Sequence, residues 1–450
     1  MVGITIETQS ELGPLALWRH SVGHGGINPL PLPERVVQGT AALRPRLIRI
    51  FIQEFFRVYP DHDRFDWSRL DPYMDALART GANVIAAITI KPPPLYPAID
   101  HAVWRPTDVG EWQAVVRALV HRYSVERPIV THWEIGNEPD LGEGGGSPYR
   151  ILDPADYAAY YEMTARAVLE AFPQAKVGGP AMAEMHREPL PGLLKHCART
   201  GTPLDFLSWH LYHSDPGRHG YLVRIARLLA QEAGLAPELM VTEWSCDFPP
   251  VSVEDGAFDP RRAASVAAAI LEMRSAGLDA SFYYHLWDQV CDPEDFAPFF
   301  TRGGVANMVR HWNEVPHRFG LFGVGGEVRS QYFVFQMLAQ LGETQVAARS
   351  DHRDVRVLAG TSAGAVAVLA VNHSLDTQAN QVATLRFEGL APGPRLLTVA
   401  RIDGARRWDA ETLALQPVER RRVVVLREFA CQVTLPANSV ALVTLGEVAG

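Results

Sequence analysis

From about residue 15 to 340 the chain alternates short apolar runs with stretches whose apolar residues recur at helical spacing. Seven runs stand out, at 47–52, 84–90, 129–135, 175–179, 204–210, 239–243 and 280–285. An eighth, first in the chain, fits near Ala16-Leu17-Trp18. Near-continuous apolarity of this kind marks strands covered on both faces, as parallel strands are inside α/β proteins. Between the runs, Asp71-Pro72, Asp153-Pro154 and Asp259-Pro260 each set an N-cap acceptor ahead of a proline, whose missing N–H costs nothing at the first helical position. Tyr157, Tyr161, Thr164, Val168 and Phe172 then recur at helical spacing before Pro173, and Met74, Leu77 and Ala78 form a stripe before Gly81, a residue suited to a helix C-terminus. Eight strands alternating with helices predict a (β/α)8 barrel over 14–340. A doubly wound open sheet is the competing topology, but no G-x-G-x-x-G follows the first strand.

Beyond residue 340 the period changes. Val355–Leu358, Ala365–Val371, Val382–Phe387, Leu396–Val399, Val423–Leu426 and Ser439–Leu445 are short β-rich runs, separated by turn residues such as Ala391-Pro392-Gly393-Pro394. Closely spaced strands without helices predict an antiparallel β-sandwich over 341–450. Val2–Ile6, within 1–13, is expected to add an edge strand to it. The fold class is therefore α/β, a barrel with an accessory sandwich.

Composition narrows the function classes. A length of 450 residues exceeds what one core usually fills. With 47% hydrophobic and 21% charged residues the composition is ordinary for a globular enzyme and rules out wholesale disorder. A net charge of −9 argues against nucleic acid or an anionic membrane as the main partner. Cys197, Cys246, Cys291 and Cys431 are too scattered for a disulfide scaffold or a C-x-x-C zinc site. No apolar stretch is long enough to span a bilayer, and the first residues lack a basic segment followed by an apolar run, so a cytoplasmic protein is expected. Nothing in the pattern sets an oligomeric state.

Reactive groups of a (β/α)8 barrel sit at the C-terminal ends of its strands. The fourth strand ends Trp133-Glu134-Ile135-Gly136-Asn137-Glu138-Pro139, and the seventh ends Val241-Thr242-Glu243-Trp244. Two glutamates are thereby set three strands apart on one rim. Glycosidic cleavage needs one carboxyl to protonate the leaving oxygen and another to meet the charge at the anomeric carbon; at about 5–5.5 Å separation the second attacks directly. A lone Glu after a strand is usually a solvated loop residue. The conjunction of the two motifs is what carries weight.

Together, Trp-Glu-x-Gly-Asn-Glu-Pro at 133–139 and Thr-Glu-Trp at 242–244 resemble clan A glycoside hydrolases, and most closely glycoside hydrolase family 39. The likeness covers nearly the whole chain in architecture and a few short windows in motif. It implies a retaining enzyme with Glu138 as acid/base and Glu243 as nucleophile. Asn137 matches the clan residue that hydrogen-bonds the sugar 2-hydroxyl, with a structural turn role as its alternative. Arg49, a charge within Ile48-Arg49-Ile50, resembles the arginine that holds the nucleophile ionised; a buried pair with Glu134 is the alternative, and both can hold. His210 and Tyr212 look like the family's His-x-Tyr, which would contact substrate and nucleophile, against an internally satisfied buried pair. Trp287 stacks on a sugar face or packs in the core. Lys91, on the rim, meets a sugar carboxylate or is solvated.

One departure bears on specificity. Xylosidases of the family typically read Arg-x-His on strand two, whereas this chain has Arg49-Ile50-Phe51. The corresponding hydroxyl contact is missing or supplied by Gln53, Glu54 or His24. Residues 288–331, with Phe296, Phe299, Phe300 and Trp312, form either a rim loop over the leaving-group subsite or a satellite core. No metal cluster emerges, and no cofactor is expected. The expected partner is an oligosaccharide or glycoside substrate, cleaved at terminal bonds in the manner of a β-xylosidase or β-glucosidase. Arabinosidase, galactosidase or iduronidase action, an endo-acting polysaccharide hydrolase and a silent carbohydrate-binding barrel are the alternatives.

Overall fold

A computed structural model of the chain describes residues 1–246, 260–314, 318–405 and 407–447. After β1 (Val2–Pro14), eight strands close a parallel barrel: β2 (His20–His24), β3 (Leu47–Gln53), β4 (Asn83–Thr89), β5 (Val130–Ile135), β6 (Lys176–Met182), β7 (Phe206–Tyr212), β8 (Glu238–Ser245) and β9 (Ala280–Tyr284). Around it run α1 (Glu34–Ala42), α2 (Leu70–Ala78), α3 (Val109–Val120), α4 (Pro154–Ala171), α5 (Pro189–Thr200), α6 (Pro216–Glu232) and α7 (Pro260–Ser275). Two short helices, α8 (Pro293–Phe296) and α9 (Arg302–Val309), precede α10 (Ser330–Leu338).

The first barrel strand lies later than the apolar run suggested. Leu17–Arg19 is a single 3-10 turn, and the strand is the more polar His20-Ser21-Val22-Gly23-His24, buried throughout. Its polarity is accommodated because His20 Nδ1 meets Ser281 Oγ on neighbouring β9 at 3.0 Å. Asp153 caps α4 as expected, accepting from the Ala155 and Asp156 N–H groups. Asp71 does not cap: α2 already begins at Leu70, and the Asp71 carboxylate instead accepts from Arg122 and Tyr123 of the neighbouring segment. Asp259 lies outside the described residues. Gly81, just past α2, has φ of +82°, a conformation that a side chain would strain.

The remaining strands are β10 (Thr344–Ser350), β11 (Val355–Ser362), β12 (Ala365–Asn372), β13 (Gln381–Glu388), β14 (Gly393–Ile402), the short pair β15 (Trp408–Asp409) and β16 (Ala414–Leu415), β17 (Pro417–Val425), β18 (Glu428–Leu435) and β19 (Ser439–Glu447). Nine strands form one sheet in the order β17-β14-β19-β12-β11-β10-β1-β13-β18. It is antiparallel except where β1 runs parallel to β13. β1 is therefore interior, between β10 and β13, and not an edge strand. The sheet must fold back on itself. Its two edges, β17 and β18, are joined by residues 426 and 427 alone, three Cα steps that reach about 11 Å at most, whereas a flat sheet of that order would set them about 38 Å apart.

Folding over explains the runs of unbroken apolarity in β12 and β19. Val366, Val368 and Ala370 point into the core between the two layers, while Ala367, Leu369 and Val371 join the core of the barrel. In β19, Ala441, Val443 and Leu445 face the layers, and Val440 and Leu442 face the barrel. Ion pairing of Arg356 with Glu272 of α7, at 2.7 Å, adds to that seam.

Candidate active site

β5 delivers Glu138 to the mouth of the barrel through a tight turn. Gly136 has φ of +94° and Glu138 itself +39°, a left-handed conformation that costs a non-glycine residue about 1–2 kcal/mol. The surroundings hold it there. The Glu138 N–H donates to the Ala181 carbonyl at 2.9 Å, and its carbonyl accepts from Leu141 and Gly142. Asp140 fixes the next turn by accepting from the Ala183 and Glu184 N–H groups, each at 3.0 Å. Gly145 is required where it stands, since a Cβ would come within 2.0 Å of Glu138 Oε2.

Three strands on, β8 presents Glu243. Its Oε2 accepts from Arg49 Nη1 at 2.9 Å and its Oε1 from the Tyr212 hydroxyl at 2.6 Å. Arg49 is buried and spends its fork fully: Nε donates to Glu134 Oε2 at 2.8 Å and Nη2 to Asn137 Oδ1 at 2.7 Å. Arg49 thus contacts Glu134 and Glu243 at once. Asn137 also donates through Nδ2 to the Gly145 carbonyl at 3.2 Å, so it ties Arg49 to the loop over Glu138. His210 Nδ1 lies 2.9 Å from Glu138 Oε1. A register shift between Trp209 and His210 sets His210 opposite Glu243.

Burial pushes the Glu138 carboxyl well above the usual range, and the negative charges of Glu243 and Asp140 push it further. Burial raises Glu243 as well, but Arg49 and the Tyr212 hydroxyl pull it back toward the ionised form. The two carboxyls thus compete for one proton, and the hydrogen bonds favour leaving it on Glu138. Burial holds His210 well below the ordinary imidazole value, so its ring is neutral.

Among the described residues, Glu138, His210 and Glu243 offer three donor atoms within 4.8 Å of one another, the spacing of a metal site. Both Glu243 oxygens already accept, from Tyr212 and from the cationic Arg49, and His210 Nδ1 is paired with Glu138 Oε1. A fixed positive charge on one ligand disfavours a second cation.

Glu138, Glu243, His210 and Tyr212 line one cavity of about 630 Å³. Asn137 and Arg49 lie behind its wall. Trp287 does not reach it: the indole packs near His24, with ring centroids 6.2 Å apart, within the barrel core. Lys91 is neither solvated nor at the cavity. Its Nζ is buried and donates to the Asp100 and Pro148 carbonyls at 2.6 and 3.1 Å, and desolvation lowers it to about 8. Glu54 accepts the Lys91 N–H and His24 is sealed among aromatic rings. Of the three substitutes for the missing histidine, Gln53 alone lines the cavity. It donates to the Gly146 carbonyl, while its buried Oε1 has no partner among the described residues. Phe51 carries the Arg49 guanidinium over its ring at 4.5 Å. Tyr284, at the end of β9, was not anticipated; it lines the cavity and donates to the Gly25 carbonyl at 3.3 Å. Only its place at a strand end could have flagged it.

The excursion after β9 is both rim and core. Phe299 and Phe300 pack on Phe296, while Phe296 and Trp312 face the cavity. It arches over to the turn after β5, where the Glu143 carboxylate accepts from the Thr301 N–H at 2.7 Å and from its hydroxyl.

A family model described as glycosyl hydrolases family 39 matches residues 53–406. The chain belongs to that family. A β-xylosidase of Geobacillus stearothermophilus is 27% identical over 281 residues, 56% of this chain and 52% of that protein. A β-xylosidase of Caldicellulosiruptor saccharolyticus is 23% identical over 307 residues, 63% of this chain and 58% of that one. The chain thus spans little more than half the length of these curated relatives. In fold it resembles the crystal structure of a monomeric β-xylosidase from Caulobacter crescentus, with TM-score 0.79, 21% identity and 100% of both chains covered. A glucosidase from Croceicoccus marinus superposes with TM-score 0.76 at 19% identity, again over 100% of both chains. No helix among the described residues is long and apolar enough to cross a membrane.

Proposed function

We propose that the protein is a retaining exo-glycosidase, with Glu138 as acid/base and Glu243 as nucleophile. One observation carries the reading: two buried carboxyls with oxygens within 4.8 Å, of which one is hydrogen-bonded to stay charged and the other is biased to keep the proton. That separation suits direct attack, whereas inverting pairs stand about 6.5–9.5 Å apart to admit a water. In the first step Glu243 Oε attacks the anomeric carbon as the C–O bond to the leaving group breaks, and Glu138 gives its proton to the departing oxygen. Esterification removes the charge on Glu243, so the pKa of Glu138 falls and it can take a proton from water. Water then attacks the anomeric carbon, restoring both carboxyls. Neutral His210, bonded to the Glu138 oxygen, keeps that carboxyl aimed. Family membership and β-xylosidase relatives support a sugar substrate, and the Glu143–Thr301 bridge across the mouth favours a closed pocket and terminal bonds over an open endo-acting cleft.

Hydrolysis of a panel of aryl glycosides, followed by anomeric proton NMR on the first-formed sugar, tests the proposal. One sugar of the panel should be cleaved with retention, and Glu243→Ala and Glu138→Ala should each lose about 10³-fold or more in kcat/KM. Full activity in either variant, or an inverted first product, contradicts it.

A further inference from the structure

We infer that the leaving group of the natural substrate is a large apolar alcohol, such as an aryl or alkyl aglycone, and not a second sugar. This rests on the glycosidase reading above and concerns the other half of the same cavity. The sugar-facing end offers Gln53 Oε1 and His210 Nε2, buried polar atoms with no partner among the described residues, which fit hydroxyl groups. The loop after β6 and helix α6 line the same cavity, and α6 brings a row of apolar side chains to it.

α6 carries an apolar stripe wider than its fully buried part. Val223, Ala226 and Ala230 are buried against the barrel. Leu222, Ile225 and Leu229, on the adjoining edge of that stripe, are half-buried against the same core and also line the cavity, with exposed Tyr221 beside them. Met185, from the loop after β6, lines the same end. That loop is tied to the Glu138 turn through Asp140, which places this end on the side of the proposed acid, where a leaving group departs. Polar groups line this end too, Glu184 and His186 on the same loop and Arg218 on α6, but a sugar hydroxyl set against Leu222, Ile225 and Leu229 would lack a partner there, at a desolvation cost. An apolar aglycone gains from the same surface, and about 630 Å³ is in the range of pockets for drug-sized ligands.

The test uses the full chain and the sugar preferred in the aryl panel, presented as its glycosyl fluoride, its methyl and octyl glycosides, and its disaccharide. The fluoride reports the chemistry with no aglycone to bind. An alkanol is a poorer leaving group than a sugar hydroxyl, so faster cleavage of the octyl glycoside must come from binding. We expect octyl to exceed both methyl and disaccharide by at least about tenfold in kcat/KM. The octyl-to-fluoride ratio should fall at least about fivefold in Ile225→Asp and in Leu222→Asp. Equal rates along the alkyl series, or a disaccharide cleaved faster than the octyl glycoside, overturns the inference while leaving the glycosidase reading intact. Failure to hydrolyse any glycosyl fluoride defeats both.

Discussion

The barrel mouth and the nine-stranded sheet treat buried polar groups in opposite ways. At the mouth, Arg49, Glu134, Glu138 and Glu243 are buried together, a non-glycine residue sits in the left-handed region, and His210 Nε2, Gln53 Oε1 and Glu134 Oε1 have no partner among the described residues. In the sheet the polar interior is used to pin a turn. Asn372 Nδ2 reaches the carbonyls of Ala379, Leu435 and Pro436, each at 2.9 Å, and so clasps the connection by which β18 leads into β19. Polar groups there are mostly answered within the chain, with His373 Nε2 an exception; the mouth gathers more buried atoms without a partner among the described residues. The difference sets a region organised around satisfied turns apart from one that buries several charges together, as the proposed mechanism requires.

The largest effect that would test this contrast comes from Arg49. Arg49→Ala strips the counter-ion from Glu134 and Glu243 at once, and should cost about 3–5 kcal/mol in a denaturant melt. Activity should fall about 10²-fold or more because Glu243 loses the donor that keeps it ionised. A variant as stable as the parent would mean that the mouth is not held by this network. In the sheet, Asn372→Ala should cost about 1–3 kcal/mol by leaving carbonyls unanswered, with kcat/KM unchanged. A loss of kcat/KM in the still-folded variant would break the separation of roles.

The smallest effect has the opposite sign. The folded-state pKa of Glu138 is raised, so above its unfolded value of about 4.3 the unfolded chain binds fewer protons and stability declines as pH rises toward the folded pKa. Glu138→Gln removes that penalty. Its Tm should exceed the parent's at about pH 7, and the gain should vanish near pH 4, where the carboxyl is protonated in both states. A gain that is the same at both pH values would contradict the raised pKa.

Much of the barrel was legible because parallel strands buried on both faces read as apolar runs, and seven of the eight do. The first escaped because His20, Ser21 and His24 are polar yet buried, answered by partners far along the chain such as Ser281. The pair Glu138 and Glu243 was legible as positions at strand ends; their spacing and unequal environments were not, since Arg49 converges on them from β3 and Tyr212 and His210 from β7. Trp287 and Lys91 misled for a related reason, because burial behind a rim and exposure on it look alike in one dimension. The strand order of the sheet, with β1 in its interior, and the placing of part of the apolar stripe of α6 on the cavity depend on neighbours that no local pattern records.

The most direct test of the central claim is to trap the enzyme with a 2-deoxy-2-fluoro glycoside bearing an activated leaving group and to locate the added mass by peptide mass spectrometry. The account predicts one sugar per chain, attached to Glu243, with turnover restored by a competing acceptor alcohol. A label on Glu138, or an enzyme that turns over the parent glycoside yet accumulates no covalent adduct and releases the inverted anomer, would contradict it.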